Sequence, residues 1–177
     1  MKLRLLPVSL SVVISATVLF GGYFVYQSVA MENPLASVVN NTPGVLQLVD
    51  TKISSTETTI ELKLKPGASL RQIYNQIQKG GASVIGEKQL KLKVDSDSSD
   101  SLDAWWSSAL FDVAQAMETK KYSQIPATLQ ARAADSNLKV STEMDDKYVY
   151  VTMSDGTQSK YVMLPRTPDK MGVWPNE

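Results

Sequence analysis

An α+β domain carried behind an N-terminal membrane helix is the architecture this sequence predicts, on three observations. Residues 5–26, LLPVSLSVVISATVLFGGYFVY, carry no charge. Two later segments, TTIELKLK at 58–65 and KQLKLKV at 88–94, alternate apolar and polar side chains with the period of two of a half-buried strand. Residues 102–117 instead place Leu102, Trp105, Trp106, Ala109, Leu110, Val113 and Met117 at helical spacing. One soluble domain follows the apolar helix, in the order ββαβααβββ, with a mostly antiparallel or mixed sheet and helices packed on one of its faces.

The apolar run would span about 33 Å as a helix, against a hydrocarbon core of about 30 Å. Lys2 and Arg4 precede it and the first charge beyond it is Glu32. Positive flanks stay inside, so residues 1–4 are expected in the cytoplasm, 5–26 in the membrane and the domain outside. Tyr23, Phe24 and Tyr26 suit the headgroup boundary. The alternative is a signal cleaved after Ala30, because Ser28-Val29-Ala30 has the small-x-small pattern, although the apolar run exceeds the 7–15 residues or so of a signal core. Ser11 with Ser15 and Thr17 with Gly21 are small residues four apart, a spacing that admits close helix approach but is also common in membrane helices.

Residues 27–44 read as a short stalk: its stretch from Met31 to Gly44, MENPLASVVNNTPG, has two Pro, three Asn and no sustained period. The domain then runs over 45–166. Strands at Leu46–Ile53 and 58–65 join through Ser54-Ser55-Thr56-Glu57 as a hairpin. Pro66-Gly67 stops the second, and Ser69 with Gln72 forms a capping box for a helix facing Leu70, Ile73, Tyr74 and Ile77 inward. Gly80-Gly81 ends that helix, and the strand at 88–94 buries Leu90, Leu92 and Val94; this strand-helix-strand unit can supply one parallel pair. The polar loop DSDSSD at 95–100 leads into the two-Trp helix. Ser123 is the expected cap of a further helix, with Pro126 in its first turn, ending near Asp135. Strands at 138–144, 147–153 and 159–164, separated by short turns, make a meander. Pro165 closes it, and 167–177 reads as a loose tail.

The chain has no His, no Cys and zero net charge. That composition removes Ser-His-Asp and Cys-His catalysis, zinc sites of the usual ligands, and disulfides. Residues 45–94 hold eight Lys/Arg and four Asp/Glu, residues 95–177 eight and thirteen, so the domain is electrically lopsided without the strongly basic footprint of a nucleic-acid binder. Asp95, Asp97 and Ser99 imitate the first ligands of a calcium loop, but Asp100 stands where Gly is needed and Trp106 where a bidentate Glu is needed. Asp100 and Asp103 fit better as acids at a helix N-terminus. No cofactor or metal is expected.

Three features remain as candidate interaction surfaces. Lys63, Lys65, Lys91 and Lys93 alternate with core residues and would share a solvent face if their strands were neighbours, offering attraction to anionic envelope polymer or headgroups. Lysines also simply keep a sheet face wet. Tyr148 and Tyr150 stand opposite Val149, Val151 and Met153 on one strand, so either set can be core; if the valines point inward, the tyrosines with Tyr161 form an exposed aromatic platform. Trp174 in the tail is expected to be exposed.

The two-Trp helix, Lys147-Tyr148-Val149-Tyr150-Val151, Asp155-Gly156 and Val162-Met163-Leu164-Pro165-Arg166 together resemble uncharacterised, single-pass, membrane-anchored proteins of Gram-positive bacteria, over about the last 80 residues. The resemblance implies a bacterial cell membrane and an outward-facing domain, and no activity. The expectation is a non-enzymatic binding or accessory module, tethered to the bilayer through 5–26, whose partner is another membrane or envelope protein or an anionic polymer. A cell-wall hydrolase using carboxylates or a Ser-Lys pair, and a structural subunit assembled through its membrane helix, are the alternatives.

Overall fold

The computed structural model describes residues 5–96, 98–134, 136–156 and 158–167. Helix α1 (Leu5–Tyr26) runs through a π-helical stretch (Gln27–Glu32) into α2 (Asn33–Asn40). Among the described residues one helix, running on from Ser9 to Asn40, is long and apolar enough to cross a membrane, and none of its most apolar stretch is buried against the protein.

Residues 33–40 are not the period-free stalk that their Pro and Asn content suggests. Leu35, Val38 and Val39 recur at helical spacing; Leu35 and Val39 are fully buried and Met31 packs against the same core. Pro34 falls in the first turn of α2, where a missing N–H does little harm. The packed body therefore begins ahead of residue 45. Gly80 and Gly81 do more than end a helix: a Cβ on Gly80 would stand 2.7 Å from Val38 Cγ1, and one on Gly81 2.7 Å from Leu35 Cδ1 and 2.9 Å from the Ile77 carbonyl. The missing side chains are what let α2 lie against the end of the next helix.

Strands β1 (Val45–Ile53) and β2 (Glu57–Leu64) form the expected hairpin, and β2 pairs in parallel with β3 (Gln89–Val94), Ile60 opposite Leu92. The parallel pair is joined by α3 (Leu70–Gly80) and the single turn α4 (Ala82–Ile85). Ser69 Oγ accepts the Gln72 amide at 3.2 Å, the cap that the sequence predicts. Ser99 Oγ likewise accepts the Leu102 amide and starts α5 (Asp100–Glu118). Helix α6 (Gln124–Ala133) differs: Ser123 makes no side-chain cap bond, because it already has helical dihedrals, φ −64° and ψ −21°.

The expectation of one sheet with helices on one face is replaced by two three-stranded sheets. The first is β1-β2-β3; the second is the antiparallel meander of β4 (Lys139–Met144), β5 (Tyr148–Ser154) and β6 (Ser159–Pro165). The first sheet behaves as expected: Thr58, Ile60, Leu62 and Leu64 are buried while their alternating neighbours reach solvent. The second is covered on both faces. Tyr148 and Tyr150 pack in the core with α2, α3 and the first sheet, whereas Val149, Val151 and Met153 pack in a separate core with α5 and α6. Tyr/Val alternation conceals this, since both kinds of side chain are readily buried.

Candidate functional site

The structure sorts the predicted surface residues sharply. Lys63, Lys91 and Lys93 lie on the outer face of the first sheet, where Lys93 pairs in register with Glu61 and Lys91 with Thr59. Lys63 Nζ is 3.4 Å from Asp95 and Lys91 Nζ 2.7 Å from Glu57. Lys65 lies just past the end of β2, and its carbonyl accepts the Tyr161 hydroxyl at 2.9 Å. The lysines thus belong to a mixed-charge face, whose acids offset attraction to an anionic surface.

Tyr148 and Tyr150 do not form an exposed platform: only 7% and 1% of them is accessible. They meet Tyr74 of α3, with ring centroids 5.2 Å (Tyr74–Tyr148), 6.3 Å (Tyr74–Tyr150) and 6.0 Å (Tyr148–Tyr150) apart. The β4–β5 turn supplies their polar partner. Asp145 Oδ1 accepts the amides of Lys147 and Tyr148, both at 2.8 Å, and Oδ2 accepts the Tyr150 hydroxyl at 2.6 Å. Partial burial pushes the Asp145 carboxyl up, but these bonds and the Arg71 charge outweigh it and hold its pKa below the ordinary value. Burial first, and then the Asp145 carboxylate, push the Tyr150 phenol up; burial and Tyr148 do the same for Tyr74. The cluster holds the Tyr74 and Tyr150 phenols, both pushed up, beside the hydrogen-bonded Asp145 carboxylate, an arrangement that fixes the β4–β5 turn against α3.

Trp174 and Asp97 lie outside the described residues. Among the described residues no group of three or more His, Cys, Asp or Glu side chains is placed to hold a metal ion.

Three of the clefts among the described residues bear on these side chains. One, of about 400 Å³, has Tyr74 and Tyr148 at its base and Gln78, Lys88, Asp146 and Lys147 among its walls. A second, of about 500 Å³, contains Ser69, Lys139 and Glu143. There Ser69 Oγ donates to Glu143 Oε2 at 2.6 Å while accepting the Gln72 amide, and Arg71 Nε lies 3.3 Å from Glu143 Oε1. This ties the start of α3 to β4. The sequence identifies Ser69 as a cap, yet nothing local marks Glu143 as its acceptor 74 positions away.

The third cleft, of about 390 Å³, differs in kind. It lies between α5 and the end of β6, lined by Leu110, Val113, Ala114, Met117 and Leu164, with Glu118, Lys120 and Arg166 at its rim. Helix α5 ends there with paired bonds, Lys120 N to Met117 O and Lys121 N to Ala116 O, and Lys120 occupies φ 55°, where glycine is usual. Leu110 is 42% exposed and the neighbouring Phe111 82%. The sequence assigns Leu110 to the core stripe and misses Phe111, whose only signal is an apolar residue one position off that stripe. Arg166 is held by Nη1 on the Asp145 carbonyl at 2.8 Å and by stacking 4.7 Å from the Tyr122 ring, which links this cleft to the tyrosine cluster.

Comparison of the chain with protein-family models, curated proteins and solved structures finds no match.

Proposed function

We propose that the protein is a membrane-anchored, non-enzymatic interaction or accessory domain, with residues 1–4 cytoplasmic and the α+β body outside. The observation that carries this reading is the single helical path from an apolar, unburied α1 into α2, whose Leu35 and Val39 are fully buried in the body. Such a path couples the span to the body without a free linker, so the body is held near the bilayer at a restricted angle. A helix with no apolar cover of its own is favoured in hydrocarbon, where its backbone bonds are already made internally. Lys2 and Arg4 before it favour the inward N-terminus.

A non-catalytic role is supported by the composition and by the polar groups. Ser69 and Glu143 hold each other and the cap of α3, and Asp145 is engaged by three donors. Binding must then use surface, and the two clefts beside the second sheet and the exposed α5 face supply it.

The cysteine-free chain allows a direct test. Single-cysteine variants Lys2→Cys and Glu87→Cys, expressed in intact cells, are treated with a membrane-impermeant maleimide. The expected result is labelling of the second only, with all of the protein in the carbonate-resistant membrane fraction. Labelling of the first but not the second, or recovery of a soluble chain beginning at Met31, would overturn the anchored, outward-facing reading.

A further inference from the structure

We infer that the outer face of α5 pairs two copies of this chain, antiparallel and about a two-fold axis at Phe111. Ala104, Ser107, Phe111, Ala114 and Glu118 are all exposed and recur three and four positions apart, so they share one stripe of the helix. Phe111 is 82% exposed and the adjoining Leu110 42%. Apolar residues scattered singly over a surface are ordinary, but these two sit beside a stripe that carries no charge from Ala104 to Ala114. Asp103 and Asp112 fall to either side of it, where Lys160 Nζ and Arg132 Nη2 each lie 2.6 Å from a carboxylate oxygen. The hydroxyls are engaged as well: Ser107 Oγ donates to the Asp103 carbonyl at 2.8 Å and Ser108 Oγ to the Trp105 carbonyl at 2.7 Å. Covering this face therefore strands no hydroxyl proton.

The occupant follows from symmetry and charge. Phe111 lies seven positions from both Ala104 and Glu118, at the middle of the stripe. A two-fold axis there sets each ring over the short Ser107, Ser108 and Ala114 side chains of the other copy, a self-complementary contact. The ends of α5 also differ in charge: Asp100 and Asp103 open it, and Lys120 and Lys121 follow it. Antiparallel pairing brings each acidic start to the other copy's basic end and opposes the two helix dipoles, whereas parallel pairing joins like to like. The stripe is about 28 Å long and 10 Å wide, well below the roughly 800 Å² per partner of a standard interface, so the pair is reversible and exchanges partners.

Cysteine pairing in the full-length chain, purified in mild detergent, tests this. Differently tagged Ala104→Cys and Glu118→Cys chains are mixed and oxidised. The expected result is a mixed disulfide dimer in severalfold excess over its statistical share, because antiparallel pairing sets position 104 of one copy beside 118 of the other. Adding Phe111→Ser to both chains should lower that dimer severalfold and leave the urea midpoint in place, since the ring is mostly in water. Dimers in statistical proportion, an excess of Ala104→Cys joined to itself, or no effect of Phe111→Ser would each overturn the inference. A second readout uses charge alone. Lys120→Glu with Lys121→Glu, in both chains, should lower the mixed dimer, and adding Asp100→Lys should recover part of it. No loss on the reversal, or no recovery, would overturn the antiparallel pairing.

Discussion

The two sheets of this protein are built from similar strands and are used in opposite ways. In the first, β2 alternates buried and accessible residues, and its outer face carries Glu57, Glu61 and Lys63 in water. In the second, β5 occupies the middle of a three-stranded meander yet buries Tyr148, Val149, Tyr150, Val151 and Met153, the two tyrosines toward α3 and the other three toward α5 and α6. A strand's own pattern reports the polarity of its two faces, whereas the number of layers around it decides how many of those faces are wet. The second sheet divides the two cores, so damage to it should reach both; damage to the outer face of the first should reach neither.

The largest expected effect breaks that division. Tyr150→Ala removes a 1%-exposed ring in contact with Tyr74 and Tyr148, and should cost about 3–5 kcal/mol in urea unfolding, close to the whole stability of many domains. Glu61→Ala on the central strand of the first sheet should stay within about 0.5 kcal/mol. Comparable losses for the two would refute the contrast.

Next comes the seam between α2 and α3. Gly81→Val places atoms where Leu35 Cδ1 and the Ile77 carbonyl already stand, and should cost about 1–3 kcal/mol. Hydrogen exchange should show residues 33–40 opening ahead of either sheet. Uniform loss of protection would mean that α2 is not a separable layer.

Tyr150→Phe tests the polar partner of the tyrosine cluster. It keeps the ring but removes the hydroxyl that Asp145 accepts, and should cost about 1–3 kcal/mol. It should also alter the pH dependence of stability on both sides. Asp145 has a lowered folded pKa, so its contribution is complete above about pH 3.9 and is lost as pH falls through the lower folded value. Tyr150 has a raised folded pKa, so its contribution is complete below about pH 10 and is lost as pH rises beyond it. The variant should flatten the alkaline limb and weaken the acid one. Unchanged limbs would show that the cluster does not titrate with unfolding.

The smallest effect belongs to the first sheet. Lys91→Ala breaks a half-exposed pair with Glu57 and should cost no more than about 1 kcal/mol, shrinking in high salt. A larger, salt-insensitive loss would make the outer face of that sheet structural.

Much of this fold was legible before the structure. The six strands and the helices α3, α5 and α6 fall close to their expected places because their apolar periods are regular, and Ser69 caps α3 through local chemistry, whereas the cap of α5 by Ser99 is not among the expectations. Helix α2 was hidden because Pro34, Asn33 and Asn40 obscure a period carried by only Leu35, Val38 and Val39. The candidate site was much less legible. Tyr148 and Tyr150 left two faces open to choice, and the lysine stripe gave no sign of Glu57 and Asp95 beside it. Phe111 broke a pattern without saying why.

By itself, then, the sequence determined an uncharged helix of membrane length, a disulfide-free α+β body and the exclusion of histidine and cysteine chemistry, because these follow from residue type and local spacing. Only the tertiary structure decided that the strands divide into two sheets, that the presumed stalk is a packed helix admitted by Gly80 and Gly81, that the tyrosines are core, and that an apolar cleft stands beside Phe111. Those outcomes depend on contacts between residues far apart in the chain, whose packing and partners no local pattern encodes.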